Sequence, residues 1–306
     1  MWSAISRLLN EQLGPGEITH RTELPGGDVH PAWLLHYGEQ QVFVKCNQRE
    51  MLDLFTWEAD QLQLLARSGT VRVPKVYGVG SVREASFLLL EYTQPCPLNA
   101  STARTLGEQL ARLHQWSEQP QFGLDFDNNI TTSPQPNSWL RRWSLFFAEQ
   151  RIGWQLQLAA EKGIQYGDIE LITRCAQSIL ASHHPQPSLL HGDLWPANCA
   201  GSSSGPWIFD PACYWGDREC DLAMLACIPI FPQRFWLATS RYGRFRRTIF
   251  NDSRFISFTI CLTGQMSLAV AGWVRRSVQS LRCWTRMNQI GSARIWPECQ
   301  PARAAI

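Results

Sequence analysis

The sequence predicts an α+β protein of two lobes, a small β-rich lobe over residues 1–93 and a larger helical lobe over 94–225, with an aberrant tail over 226–306. Three observations carry that reading. Alternating, β-branched runs cluster in the first third around one amphipathic helix, which suits an antiparallel sheet with a covering helix. Leucines and aromatics at helical spacing dominate the middle of the chain. A length of 306 residues is enough to bury two such cores.

In chain order, Met1-Trp2-Ser3-Ala4-Ile5 opens an amphipathic helix rather than a targeting sequence. Leu24-Pro25-Gly26-Gly27-Asp28-Val29-His30 is a turn between extended segments. Its glycines reach backbone conformations closed to other residues and let amide N–H groups approach a phosphate. Gln41-Val42-Phe43-Val44-Lys45 alternates with period two, as a strand does. Phe55, Ala59, Leu62 and Ala66 recur at helical spacing, with Glu58 beside their stripe. Phe87-Leu88-Leu89-Leu90-Glu91-Tyr92 reads as a buried strand with a polar end. Leu106, Leu110 and Leu113 mark a helix closing at His114, which is expected in the core or at the helix end. A loop rich in Asp, Asn, Thr and Pro then runs to Asn137. Trp139, Trp143, Phe146 and Phe147 line a helix expected to end near Arg151, and a further helix over 169–179 is expected beneath the segment that follows.

That segment carries the chemistry. It reads HGDLWPAN and then FDPACYWGDRECD, with Asp193 in a tight turn, Asn198 five residues on, and Asp210 closing an apolar run. Phosphoryl transfer needs this set: one Asp to orient and deprotonate the attacking hydroxyl, an Asn and a second Asp to hold Mg²⁺ on ATP. The catalytic loop of protein kinases spaces its Asp and Asn by the same interval. Gly-Asp turns are common on their own account, but all three residues in this order point to a kinase site.

Such a site also needs a lysine for the phosphates. The chain has three, Lys45, Lys75 and Lys162. Lys75 follows a proline and Lys162 precedes a glycine at a helix end, which leaves Lys45, with Glu58 thirteen residues on to hold its ammonium group. Read plainly, Lys45 is a strand-end charge and Glu58 a solvated helix residue. Gly26 and Gly27 become candidate phosphate-cradling residues, and Glu91 and Tyr92 candidates to flank an adenine-binding hinge. His191 is expected to brace the turn by hydrogen bonding. Asp217, Arg218 and Glu219 either contact substrate or form an internal ion-pair knot.

The wording HGDLWPAN…DPACYWGDRECDLAM resembles the fructosamine (ketosamine) kinase family, within the aminoglycoside phosphotransferase and choline kinase-like, protein-kinase-like superfamily. Trp195 after HGDL and the tract Tyr214-Trp215-Gly216-Asp217-Arg218-Glu219 carry the resemblance, which covers about residues 1–225. It implies a two-lobed protein-kinase-like fold and ATP- and Mg²⁺-dependent phosphorylation of a sugar hydroxyl on a ketosamine, free or protein-bound. It implies a glutamate at the place of Glu58, a packing role for Leu113-His114, and a substrate-reaching role for the loop before Trp139. Related kinases use an acidic residue after the magnesium Asp to tie the catalytic segment to a neighbouring helix, which implies a structural role for Asp221. An aminoglycoside- or choline-type kinase is the nearest alternative, and a non-catalytic nucleotide-binding or membrane-attached remnant the rival from another class.

Ten cysteines, without a C-x-x-C pair or zinc-like spacing, suit free thiols in a reducing cytoplasm. The net charge of +2 hides a division: of 28 basic and 26 acidic residues, the stretch 226–306 holds 12 arginines, no lysine and only Asp252 and Glu298. Such asymmetry ordinarily suggests a nucleic-acid or membrane tail. The uncharged run 255–274 is long enough to span a bilayer but carries Thr259, Thr263, Gln265 and serines, so neither nucleic acid nor a membrane is expected as a partner. A displaced reading frame explains more. Arginine without lysine, among scattered Trp, Cys and Ser, suits a shifted frame of a GC-rich gene. With permitted codons, the stretch from the third nucleotide of the Arg246 codon to Thr263 yields PDDFQRQPVYQLYYMLN, which resembles the family's carboxy-terminal helices.

Overall fold

The computed structural model describes residues 1–25, 29–130, 132–226, 231 and 233–240. Gly26 and Gly27 of the predicted phosphate cradle, and the apolar run 255–274, lie outside the described residues.

The amino-terminal lobe is a five-stranded antiparallel sheet in the order β1-β2-β3-β5-β4, preceded by helix α1 (Trp2–Leu13). Its strands are β1 (Ile18–Leu24), β2 (Ala32–Tyr37) and β3 (Gln40–Asn47), then, beyond helix α2 (Leu52–Arg67), β4 (Val76–Ser81) and β5 (Ser86–Glu91). Alternation along β3 sorts its side chains between two cores. Val42 and Val44 are buried with Ile5 and Leu9 of α1, while Phe43 on the opposite face packs toward the second core, beneath α2. Lys45 shares the Phe43 face and is in register with Ala32 of β2 and Leu88 of β5. The stripe of α2 that covers this face is Phe55, Ala59, Leu62 and Leu65, and Ala66 faces solvent.

The helical lobe begins with α3 (Ala100–Leu113), started by a reciprocal cap in which Asn99 accepts from Ser101 and Thr102 N–H and Thr102 accepts from Asn99 N–H. A short hairpin of β6 (Asn128–Ile130) and β7 (Ser133–Gln135) follows. Helices α4 (Trp143–Phe147) and α5 (Trp154–Glu161) are joined by a π-helical stretch over Ala148–Gly153. The helix therefore runs past Arg151, and Trp139 lies outside it. The cause is local: Leu140 pairs with Phe122 as a β-bridge, and Trp139 Nε1 donates to Asp125 at 3.0 Å. Helix α6 (Ile169–Ile179), capped by Asp168, packs mainly on α4 and the π-helical stretch rather than beneath the catalytic segment.

Strand β8 (Ser188–Leu190) leads into that segment, the hairpin of β9 (Cys199–Ser202) and β10 (Gly205–Ile208) follows it, and β11 (Tyr214–Gly216) returns to pair with β8. Among the described residues two helices follow, α7 (Glu219–Ala226) and α8 (Gln233–Ser240). Helix α8 lies beyond Leu225 yet is packed on α3, with Phe235 fully buried. The approach is so close that a Cβ on Gly107 would sit 2.7 Å from Phe235 O.

Candidate active site

Between the lobes lies a cleft of about 520 Å³, lined among others by Lys45, Glu58, Asp193, Asn198 and Asp210. Lys45 Nζ donates to Glu58 Oε1 at 2.8 Å and to Asp210 Oδ1 at 2.5 Å. Burial alone would lower the lysine's pKa, but the two carboxylates outweigh it and raise it, so the ammonium stays charged. Burial likewise pushes Asp210 up, yet Lys45 prevails and holds it below the usual carboxylate range. Asp210 has φ 56°, a left-handed backbone that Asp tolerates better than most residues.

Asp193 and Asn198 come from the turn after β8. Asn198 Nδ2 donates to Asp193 O at 2.9 Å, to Asp193 Oδ2 at 3.2 Å and to Asp210 O at 3.4 Å, so one amide ties the two acidic segments together. Asn198 itself lines the cleft. Asp193 is only 6% exposed, and its Oδ1 has no partner among the described residues. Burial first, then the neighbouring Asp210 charge, pushes its carboxyl up to about 7. The Asn198 amide oxygen and the half-exposed Asp210 carboxylate are hard oxygen donors beside it, a pair that fits Mg²⁺.

The turn is held from behind. Asp221, fully buried, accepts from His191 N and Gly192 N, each at 2.9 Å, and pairs with His114 Nε2 at 3.0 Å. Burial would raise Asp221, but these donors keep it low and charged. His191 donates from Nε2 to Phe209 O at 2.9 Å and accepts from Asp193 N–H at its Nδ1, while burial lowers its pKa and keeps it neutral. Gly192 has φ 81°, and a Cβ there would lie 1.8 Å from Ala212 O. The Asp193 turn thus rests directly on the backbone that follows Asp210.

Comparison with known proteins decides the family. The fructosamine kinase family profile matches residues 1–245. The chain belongs to the fructosamine kinase family. It is similar to "Probable ketoamine kinase YniA" of Escherichia coli O157:H7, 68% identical over 225 residues, which cover 74% of this chain and 79% of the relative. "Probable ketoamine kinase" of Klebsiella aerogenes is 63% identical over 237 residues, 77% of this chain and 83% of that one. A candidate fructosamine-3-kinase from Haemophilus somnus superposes with a TM-score of 0.87 at 36% identity, covering 92% of this chain and 97% of the other. The choline kinase LicA of Streptococcus pneumoniae, at 17% identity and TM-score 0.56, shares the protein-kinase-like fold.

Of the other predicted site residues, several direct their side chains outside the cleft. Glu91 Oε2 accepts from Lys75 N at 3.2 Å and Tyr92 OH donates to Gln94 at 2.9 Å, so both side chains are occupied outside the cleft. Asp217 pairs with His183 at 2.5 Å and caps Glu219 N, and Arg218 donates to Thr239 O on α8 at 3.2 Å. Trp195 lines the cleft and is 39% exposed. Sequence reasoning missed His30, Trp57 and Asn129 on the cleft wall. It also missed Gln61, whose signal was a polar residue within the apolar stripe of α2, one turn beyond Glu58.

Proposed function

We propose that this kinase transfers the γ-phosphoryl group of ATP to a sugar hydroxyl of a ketosamine, a reaction that serves deglycation. The observation that carries the reading is the buried, partnerless Oδ1 of Asp193 in the same cleft as Lys45, Glu58, Asn198 and Asp210. Asp193 would accept the proton of the acceptor hydroxyl as the new O–P bond forms and the bond between the γ-phosphorus and the bridging oxygen breaks, with ADP leaving. A carboxyl raised to about 7 is matched to that work near neutral pH. Lys45, fixed by Glu58, would hold phosphate oxygens. Asn198 and Asp210 would hold Mg²⁺, which when bound neutralises charge on the phosphates. Relatives described as ketoamine kinases support the acceptor class.

The test is phosphate transfer by the purified full chain from MgATP to a panel of fructosamines, ribulosamines, choline and aminoglycosides. Preference for the ketosamines is expected, and preference for choline or an aminoglycoside would overturn the reading. MgATP binding without turnover, abolished by Asp210→Ala, would favour a non-catalytic remnant. The free cysteines among the described residues support a reducing, cytoplasmic setting.

We infer further that the chain from about Arg246 onward is read out of frame. The family match ends at residue 245, next to the codon at which the alternative frame resembles the family, and the curated alignment leaves about a fifth of the E. coli relative unmatched. The nucleotide sequence across that codon tests this, and a frame-restored protein is expected to be more soluble and more active. Equal ATP-dependent activity of the two proteins would refute the expected loss.

A further inference from the structure

Gln61 stands one helical turn beyond Glu58 on α2 and is 3% exposed. Buried side-chain amides are retained when each polar atom has a partner, and here each does. Gln61 Oε1 accepts from Cys213 N–H at 2.5 Å and from Asn128 Nδ2 at 2.9 Å, and its Nε2 donates to Trp57 O at 2.9 Å. Asn128, from β6, in turn donates to Cys213 O at 2.8 Å. Both polar groups of the Cys213 backbone are therefore gripped by side-chain amides, one from the helix that carries Glu58 and one from the helical lobe. Cys213 lies three residues after Asp210. Its neighbour Ala212 donates N–H to His191 O at 2.8 Å and fills the space beside Gly192.

We propose that Gln61 is a positioning residue for phosphoryl transfer: it fastens α2 to the backbone behind Asp210, so that the Glu58–Lys45–Asp210 chain and the Asp193 turn are held in one register. Hydrophobic packing of α2 fixes the helix's height over the sheet but leaves its rotation and sliding soft. A hydrogen bond to one particular peptide N–H removes that freedom. The effect reaches the phosphates through Glu58, whose own contact with Lys45 requires α2 to stand where Gln61 pins it. This rests on the kinase reading above and adds to it the element that keeps the clamp assembled.

A double-mutant cycle on the full chain tests it. Gln61→Met, near in shape and without an acceptor, is measured alone, with Glu58→Ala, and against Glu58→Ala alone, reading kcat/KM for MgATP and the MgATP dissociation constant by calorimetry. Each single variant is expected to lose about 10- to 100-fold in kcat/KM, as for a lost buried contact acting on the reacting phosphates. The double variant is expected to be no worse than Glu58→Ala. Multiplying losses would overturn the proposal, because a merely structural glutamine lowers the amount of folded enzyme independently of Glu58. Should Glu58→Ala itself change nothing, the clamp reading fails instead, which keeps the two failures distinct. If Gln61→Met does not fold, Gln61→Glu serves: it keeps an oxygen acceptor for Cys213 N–H and Asn128, so KM for MgATP near that of the parent supports the proposal, and a KM raised tenfold or more overturns it. Where turnover is too slow to measure, the same comparisons are read from the dissociation constants.

Discussion

Asp193→Asn should abolish phosphoryl transfer and at the same time stabilise the ligand-free protein. The carboxyl is 6% exposed, lies near the Asp210 charge and leaves Oδ1 without a donor, and its pKa rises from 3.8 to about 7. A carboxyl raised on folding binds its proton more tightly in the native state, so its ionised form opposes folding. The penalty is absent below the unfolded value of 3.8, grows as pH rises, and is complete above about 7. Three units at roughly 1.4 kcal/mol each give about 4 kcal/mol as an upper bound. The new amide donor lacks an acceptor at the Oδ1 position, which takes back about 1–3 kcal/mol. A net gain of about 1–3 kcal/mol should remain, a few degrees in melting temperature for a chain of this size. Calorimetric scans of parent and variant, without nucleotide and with a metal chelator, would be compared from about pH 8 down to about pH 4.5, the window set by this shift. The gain should be largest at the alkaline end and shrink toward the acid end. An unchanged or lower melting temperature at pH 8, or a gain indifferent to pH, would refute the account of Asp193 as a desolvated, unpaired base.

Lys45→Ala leaves the Glu58 and Asp210 carboxylates without the ammonium between them, and steady-state assays should show kcat/KM for MgATP reduced about 100-fold or more. Gly192→Ala places a methyl group against Ala212 O at a φ of 81°, and urea unfolding should show a loss of about 2–4 kcal/mol together with loss of activity. Unchanged stability and turnover would mean that the turn does not rest on that backbone. Phe235→Ala removes a fully buried ring from α8, and a loss of about 3–5 kcal/mol in denaturant unfolding would mark this segment as part of the folded lobe.

What the sequence could and could not reveal follows from the distance over which each feature is decided. Asp193 and Asn198 sit in one turn, and the alternation of β3 assigns Lys45 to the face opposite Val42 and Val44, so short-range pattern was enough for both. The fastening of Cys213 was hidden because Gln61 and Asn128 are 67 residues apart and acquire roles only once α2 and β6 meet. Glu91 stands at the end of β5 as expected, but its side-chain partner, the Lys75 N–H just before β4, is 16 residues away in sequence and lay beyond local pattern. The helix expected to end at Arg151 continues because that arginine is buried, donating to Pro136 O and Asn137 Oδ1 and lying over the Tyr214 ring at 4.1 Å. A charge that looked like a helix end is a core residue with its partners supplied from two other segments.

The limit at Leu225, where the family-like wording stops and the basic stretch begins, gave too little weight to the spacing of the aromatics beyond it. Arginine enrichment is a property of the whole stretch 226–306, and it says nothing about any eight residues within it. Phe231, Phe235 and Trp236 form a contiguous aromatic cluster, with centroids 4.8 and 5.0 Å apart, and Phe235 is fully buried. Burying one such ring is worth about 1.5–3 kcal/mol, whereas exposed charges each contribute a fraction of that. The family profile reaches residue 245, past this cluster and up to Arg246. Periodic aromatics therefore locate the outer limit of the family-like sequence better than net charge does. A change of frame alters every residue downstream of it, and so the limit should fall at one codon rather than fade over a linker.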